Sequence, residues 1–405
     1  MTHRLRRGRR ALTLLPVALA FTLVAACGGG SGGSGAAASG DFDEMIKIGI
    51  NESVTGPAAS NGAPFRDSAR FAIDQVNADG GVTVDGKRYG FEAVERDNET
   101  DPQKAIGIAQ EFSRDGVKFV LGPGISSVFS PAFESMQGTD SLVFSAAGVA
   151  TSLVGKPEAQ NLFSPINPQA GTAGLIKDAA DAAVEKFKPA RAAILLPNDP
   201  LGELHGNGFK TAFESAGVQV VYNERFGSDT VDFAPYVTQL KALNPDVVVI
   251  GPLDRWVEPI LTEATAAGFT TPAFIGSPGV SQAPFGKFPT ITKAMVTMVT
   301  RAVDNPADTS LDAFRTAYKA HFDKDPGPSS FWSLIYFDSV NMLARSMQVA
   351  GTVDDLDAIS RTLLSSPEVT KYPARALDLK YDEKHQAHYP IQHQFIIDGQ
   401  RSYVG

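Results

Sequence analysis

From residue 45 to residue 275 the chain alternates short apolar runs with helix-length stretches whose apolar residues recur every three or four positions. That alternation leaves few folds open. Met45-Ile-Lys-Ile-Gly-Ile50 reads as a buried strand. Phe65, Ala69, Ala72, Ile73 and Val76 share one face of the helix that follows, and Ala78-Asp79-Gly80-Gly81 stops it. Tyr89–Val94 alternates as a strand, and Asp101-Pro102 opens a helix reaching Arg114, an N-cap followed by proline at the first helical position. Val117–Leu121 and Leu142–Phe144 are further strands, with a helix beginning near Ser130-Pro131 between them. The pattern then repeats, with helices at 172–187, 205–216, 232–243 and 254–267 and strands at 192–196, 218–223, 246–250 and 273–275. Strands alternating with helices in this way build βαβ units, so the expected class is α/β, with two mostly parallel sheets flanked by helices. After residue 275 the order loosens into an apolar stretch at 294–299, helices at 309–323, 331–350 and 353–364, and strands near 377–380 and 391–397. A mostly helical remainder builds no third parallel sheet. It is expected to complete the two lobes, with the chain crossing between them more than once.

Open parallel sheets bind ligands outside the carboxyl ends of their strands. Two facing lobes set two such rims around one cleft, which makes a clamp whose usual motion is hinge closure. In the first lobe the rim segments are Asn51–Gly62, Gly122–Ser130 and Phe144–Val149, all small, polar or glycine-rich. Ser126 and Ser127 precede the expected helix start, where unpaired N–H groups and the helix dipole favour an anion. The second lobe offers Asn198-Asp-Pro-Leu-Gly202 and Gly251-Pro-Leu-Asp-Arg-Trp256. Trp256 and Trp332 are the two tryptophans of the chain, and each either stacks on a ligand or closes a core. Arg255 is either a bidentate partner for a carboxylate or a solvated surface residue.

The first 26 residues do not belong to this pattern. Arginines at 4, 6, 7, 9 and 10 precede an apolar run over 11–26, shorter than the roughly 20 residues of a bilayer span. The single cysteine, Cys27, follows at once, and a Gly/Ser-rich coil then extends to residue 41. Residues 1–26 are expected to be a secretory signal peptide and 27–41 a flexible tether. The segment Leu23-Val-Ala-Ala-Cys27 resembles the bacterial lipobox, which implies cleavage before Cys27 and lipidation of its thiol. Setting the leader aside takes the net charge from −9 to about −14, and so acidic a body is a poor partner for nucleic acid. One cysteine excludes a disulfide framework and any Cys-rich metal site.

Catalytic signatures are missing from the body. Gly86-Lys87, Gly155-Lys156 and Gly286-Lys287 are each followed by a residue other than Ser or Thr, so no P-loop is present. Residues 42–405 contain no Gly-x-Ser-x-Gly and no His-Glu-x-x-His. His385, His388 and His393 cluster in sequence, but Pro390 and the strand pattern after it oppose a helical metal-binding face. The expectation is a binding module rather than an enzyme, with no catalytic residue, metal or cofactor.

An ordered set of residues resembles the type 1 periplasmic binding proteins of the branched-chain amino-acid (Leu/Ile/Val)-binding family, the substrate-binding lipoproteins of ABC transporters. It comprises Ile46-Lys-Ile-Gly49, Thr55-Gly56-Pro57, Asn77-Ala-Asp-Gly-Gly81, Asp97 to Asp101-Pro102, Val120-Leu-Gly122, Ser126-Ser127, Phe144-Ser145 and Phe337-Asp338-Ser-Val340. The resemblance runs over roughly 42–400 and implies two lobes joined by three crossovers, placed near Ser164, Ser277 and Tyr372. Lobe 1 is then 42–163 plus 278–372, and lobe 2 is 164–277 plus 373–405. It further implies a protein anchored by lipid on the extracytoplasmic face of the cell membrane, passing a small ligand to ABC permease subunits. The alternative is the same clamp reporting to a membrane receptor or kinase.

Carried over residue by residue, the family pattern puts Ser126, with Ser127 beside it, on a ligand carboxylate. Ser145, Ala147 and Gly148 match the third rim, whose backbone carbonyls meet an ammonium group. The chain departs from the pattern elsewhere. Val149 stands where a hydroxyl is usual, and Asn61 and Leu201 stand where aromatic caps are usual. Trp256 takes the place of an ammonium-binding acid, with Asp254 displaced by two positions, while Trp332 fits a recurrent aromatic position. A buried ammonium needs a paired acceptor. The departures therefore move the expected ligand away from leucine and its relatives, toward another small polar solute such as an amide, a carboxylate or an aromatic acid.

Overall fold

The run Ile46–Ile50 forms the centre of β1 (Glu44–Glu52), in which Ile48 and Ile50 are fully buried. The computed structural model describes residues 42–168, 174–281, 283–326, 330, 332–370 and 376–405. Cys27, the leader, the tether and Tyr372 lie outside the described residues. Around β1 stand β2 (Val82–Val84), β3 (Lys87–Asp97), β4 (Phe119–Leu121), β5 (Leu142–Phe144) and β6 (Leu162–Phe163), in the order β2-β3-β1-β4-β5-β6. All neighbours are parallel except β2 and β3, which form a hairpin. The connections are α1 (Ala59–Ala78), α2 (Pro102–Arg114) and α3 (Ser126–Glu134).

The second sheet repeats the design with β7 (Arg191–Pro197), β8 (Gln219–Phe226), β9 (Val247–Ile250), β10 (Ala273–Gly276) and β11 (Lys293–Val296), all parallel. Its helices are α4 (Leu175–Phe187), α5 (Pro200–Ser215), α6 (Ala234–Leu243), α7 (Asp254–Ala266) and the short α8 (Ala283–Gly286). Then come α9 (Asp312–Phe322), α10 (Ser333–Ala350), α11 (Leu356–Ser365) and α12 (Pro367–Thr370). A short hairpin of β12 (Lys380–Tyr381) and β13 (Ala387–His388) precedes β14 (His393–Ile397) and β15 (Gln400–Val404). These last two extend the second sheet antiparallel, giving β15-β14-β11-β10-β9-β7-β8.

The C-terminal part does complete both lobes. Helices α9 and α10 return to the first, where Phe71 of α1 stacks on Phe337 at 5.0 Å and meets Phe314 edge-on at 5.7 Å. The boundary at Ser277 needs correcting. β11 lies in the second sheet, between β10 and β14, although 278–372 were expected in lobe 1. Ala294, Met295 and Val296 are buried, so the backbone N–H and C=O groups along both strand edges need partner strands. The chain therefore leaves the second sheet after Val296. Ser164, directly after β6, forms a parallel bridge to Gln386, directly before β13.

Helix α3 also starts earlier than its Ser130-Pro131 signal. Val128, Phe129, Ala132 and Phe133 form a buried stripe, and their burial outweighs Pro131 inside the helix. Two glycines end corresponding central strands. Gly122 after β4 has φ +93° and Gly251 after β9 has φ +127°, a region that side chains disfavour. A Cβ at Gly122 would also lie 2.3 Å from the Asn51 carbonyl oxygen. The start of α2 is as expected from sequence: the Asp101 carboxylate accepts from the N–H groups of Gln103 at 2.7 Å and Lys104 at 3.2 Å. Asp101→Ala is expected to cost about 1 kcal/mol of stability, read as a lower urea midpoint with an unchanged slope.

Candidate ligand-binding cleft

Both sheets present the carboxyl ends of their strands to one cavity of about 270 Å³. From the first lobe it is lined by Pro57, Ala58, Asn61 and Phe65 at the start of α1, by Gly124–Ser127 after β4, by Ala146 and Gly148 after β5, and by Trp332 before α10. From the second it is lined by Asp199 and Leu201 after β7, Ser228 after β8, Pro252, Leu253, Arg255 and Trp256 after β9, Pro278 and Gly279 after β10, and Val299 after β11. Most of this lining is apolar, so the few polar groups decide orientation.

The first-lobe rims are tied to one another by buried polar side chains. Asn51 donates to the Ala105 carbonyl at 3.1 Å and accepts from Asn98 at 2.9 Å, and the Ser53 hydroxyl donates to Asn98 at 2.6 Å. Asp97 accepts from the Val54 N–H at 3.0 Å and the Thr55 hydroxyl at 2.7 Å. Burial works against its ionisation, but the bonds from Thr55, Glu99 and Val54 outweigh it and hold the carboxyl below the usual range. Glu52 is fully buried at the end of β1 and accepts from the Gly124 N–H at 3.0 Å and the Tyr336 hydroxyl at 2.8 Å. Burial pushes its pKa up to about 8 against those bonds. Tyr336 in turn accepts from the Ala146 N–H at 3.3 Å.

Ser126 is the first residue of α3, and its hydroxyl oxygen accepts from the Val149 N–H at 3.3 Å. That bond uses a lone pair and leaves the hydroxyl proton to donate into the cleft. The N–H groups of the first helical turn have no acceptor within α3, so Ser126 and Ser127 present donors at the positive end of the helix dipole. In the second lobe the Arg255 guanidinium lies over the Trp256 ring at 4.2 Å from its centroid. The indole packs edge-on against Phe226 at 5.6 Å. Among the described residues the Arg255 guanidinium makes no hydrogen bond. Burial lowers its pKa, and the nearby Asp199 carboxylate works the other way. Asp199 caps α5 through the Gly202 N–H at 2.7 Å, and burial raises its pKa. One bond crosses between the lobes at the cavity itself, from the Asn61 side-chain amide to the Gly279 carbonyl at 3.0 Å.

Of the residues singled out from sequence, Asn61, Ser126, Ser127, Gly148, Leu201, Trp256 and Trp332 come together on the lining. Ser145, Ala147, Val149 and Asp254 are not among the lining residues. Ser145 donates to the Pro123 carbonyl at 2.5 Å and accepts from the Ala147 N–H at 3.1 Å, so it ties two rims together from behind. Ala147 is fully buried, while its neighbours Ala146 and Gly148 reach the cavity. Val149 contributes its N–H to Ser126, and its side chain is packed in the core. Asp254 is taken up by Ser281, accepting from its N–H at 2.7 Å and its hydroxyl at 2.6 Å.

Sequence reading assigned Phe65 to a helix core face, and it is also a wall, meeting Trp332 edge-on at 4.8 Å. Arg255 carried a carboxylate-partner signal without being placed among the site residues, and Asp199 sat unchosen in the Leu201 segment. Ser228 had no signal. The C-terminal histidines go separate ways: His388 pairs with Asp382 at 2.9 Å, His385 stacks on Phe163 at 4.3 Å, and His393 is buried in β14.

Comparison with known proteins adds to this geometry. A leucine-, isoleucine-, valine-, threonine- and alanine-binding protein of Pseudomonas aeruginosa is 28% identical over 315 residues, 77% of this chain and 80% of that protein. A leucine binding protein from Thermotoga maritima superposes with a TM-score of 0.71 at 16% identity, over 89% of this chain and 98% of that one. An ABC-transporter solute-binding protein from R. palustris, in complex with 4-hydroxybenzoate, superposes with a TM-score of 0.69 at 17% identity, over 88% and 95%. A family model described as periplasmic binding protein matches residues 45–395. Nearly the whole described body is covered by that match, and the chain belongs to the periplasmic binding protein family.

Proposed function

We propose that this chain is the solute-binding component of an ABC importer, held on the extracytoplasmic face of the membrane by lipid on Cys27, and that its cleft takes a small carboxylate with an apolar or aromatic body. The observation carrying the ligand reading is the asymmetry of the cleft. The first lobe offers the Ser126 hydroxyl and the first N–H groups of α3, the second offers Arg255 stacked on Trp256, and Phe65, Ile125, Leu253 and Trp332 add apolar lining. Donors at a helix N-terminus and a guanidinium both favour a carboxylate, and flat apolar walls favour an apolar or aromatic body. The curated relatives are binding proteins rather than enzymes, and a solved structure of the same fold is in complex with 4-hydroxybenzoate, which supports an aromatic acid as one candidate. The anchor and the permease partnership rest on the Leu23–Cys27 segment and on family membership.

One observation favours a second reading, an α-amino acid. Asp199 is a carboxylate on the lining, and it faces the cleft from the lobe opposite Ser126. An ammonium group would meet it there, with Arg255 beside it in competition.

A thermal-shift panel of leucine, isoleucine, valine, small amides, benzoate and 4-hydroxybenzoate separates the two readings. A ligand at a hundred times its Kd adds about 2.7 kcal/mol of stability. The expected outcome is a large shift with an aromatic acid and little with leucine, and strong shifts with all three branched amino acids would reverse the assignment. Ser126→Ala is expected to weaken the best carboxylate by about 1–2 kcal/mol in calorimetry with the fold intact; unchanged affinity would remove Ser126 from the site. Arg255→Ala is expected to weaken carboxylates by about 1 kcal/mol, since the guanidinium is partly solvated. Asp199→Asn should leave benzoate binding at least as strong; a loss confined to amino acids would instead favour the second reading.

A further inference from the structure

Glu52 is a fully buried carboxyl with no lysine, arginine or histidine paired to it among the described residues. It lies directly behind the anion-favouring end of the cleft. One of its oxygens accepts from the N–H of Gly124, a lining residue two positions before Ser126. The other accepts from Tyr336, which accepts in turn from the N–H of Ala146, a lining residue of the next rim. A single side chain on β1 thus holds the two loops that form the floor of that end. The space around it is closed: a Cβ on Gly122 would fall 2.6 Å from its Oε1, and one on Gly124 would fall 3.1 Å from it.

We propose that Glu52 is a positioning residue for anion binding: from behind the carboxylate site it fixes the Gly124 and Ala146 rims, and its charge state sets how strongly an anion is held in front of them. The proposal rests on the carboxylate reading of the cleft. A full charge on a buried, unpaired carboxyl one layer behind a bound anion would repel it through a poorly screened interior. By linkage, a bound carboxylate then favours the protonated form, and protonation favours the bound carboxylate.

The groups facing Glu52 leave it as the titrating one. On its own strand the Asn51 and Ser53 side chains are neutral, the Ser53 N–H joins Gly124 and Tyr336 in favouring the ionised carboxyl against burial, and α1 contributes the Phe65 ring. From β3, Asp97 turns its carboxylate to Val54 and Thr55 and stays ionised. From α10 comes the Tyr336 hydroxyl, with Tyr381 of β12 behind it; burial raises both phenols, so they remain neutral. Burial as the leading cause places the Glu52 transition at about 8. Its folded-state pKa lies above its unfolded value, and for an acid this means that the neutral form persists up to that point and the charge appears beyond it.

The test uses the full chain with benzoate, which keeps one charge throughout the range. Calorimetry is expected to give a Kd that is flat up to about pH 7.5 and about tenfold weaker near pH 9 than near pH 7. Glu52→Gln, which keeps one acceptor oxygen, turns an N–H2 toward one of the two donors and cannot ionise, is expected to bind with no pH slope, whatever its affinity. Tyr336→Phe removes a bond that stabilises the ionised form, so its onset should move to higher pH; this arm decides the matter even where the Gln variant fails to fold. Infrared spectra without ligand are expected to show the carbonyl band of a protonated carboxylic acid near pH 7 that fades as the pH passes about 8. A wild-type Kd flat to pH 9, a slope surviving in Glu52→Gln, or no such band would overturn the proposal. Absence of benzoate binding at every pH would overturn the carboxylate reading instead, and the infrared band would still decide the state of Glu52.

Discussion

Buried polar groups in the first lobe are cut off from bulk solvent and pair with one another, and this constraint fixes the shape of the cleft. Asn51, Ser53 and Asn98 satisfy one another where β1 and β3 end, Ser145 holds Pro123, and Glu52 holds Gly124 and Tyr336. Leaving any one of these groups unpaired would cost about 1–3 kcal/mol. The rim loops are therefore held in one arrangement by the same bonds that make their burial tolerable. A donor set held this way is preorganised, so little further ordering is needed when a ligand arrives.

The second lobe is built on other terms. Its contribution to the cleft is an aromatic stack, Phe226 against Trp256 with Arg255 above it, plus the Asp199 carboxylate that caps α5. Between the lobes at the cavity runs the bond from Asn61 to the Gly279 carbonyl. A single hydrogen bond of this kind contributes about 1 kcal/mol net, a weak tie between the lobes at the cavity. On this account the first lobe sets which end of the ligand binds, and the second covers it.

The α/β class was legible because hydrophobic period distinguishes strand from helix locally, and the Asp101-Pro102 cap was legible because its chemistry is local too. The sheet to which 293–296 belongs was not, since a buried apolar run signals a strand without naming its neighbours. The start of α3 was obscured because Pro131 is a local signal, whereas the burial of Val128 and Phe129 is a tertiary one. At the site, position in a rim loop was readable and direction was not. Ser126 and Ser145 look alike in sequence, yet one has a hydroxyl proton to offer the cleft and the other is consumed by Pro123. Asp254 has the chemistry for an ammonium, but Ser281, twenty-seven residues on, takes up its oxygens. Phe65 fitted the helix core stripe and also faces the cavity, because the apolar wall of the cleft is continuous with the core.

A crystal structure of the full chain with benzoate tests the central claim, a preformed anion end in the first lobe, most directly. The account predicts the carboxylate within hydrogen-bond reach of the Ser126 hydroxyl and the N–H groups of Ser126 and Ser127, the ring between Phe65, Trp332 and Trp256, and the loops at 122–127 and 145–148 unmoved. A carboxylate bound only to Arg255 with its ring against Ser126, or first-lobe rims rearranged around the ligand, would contradict it.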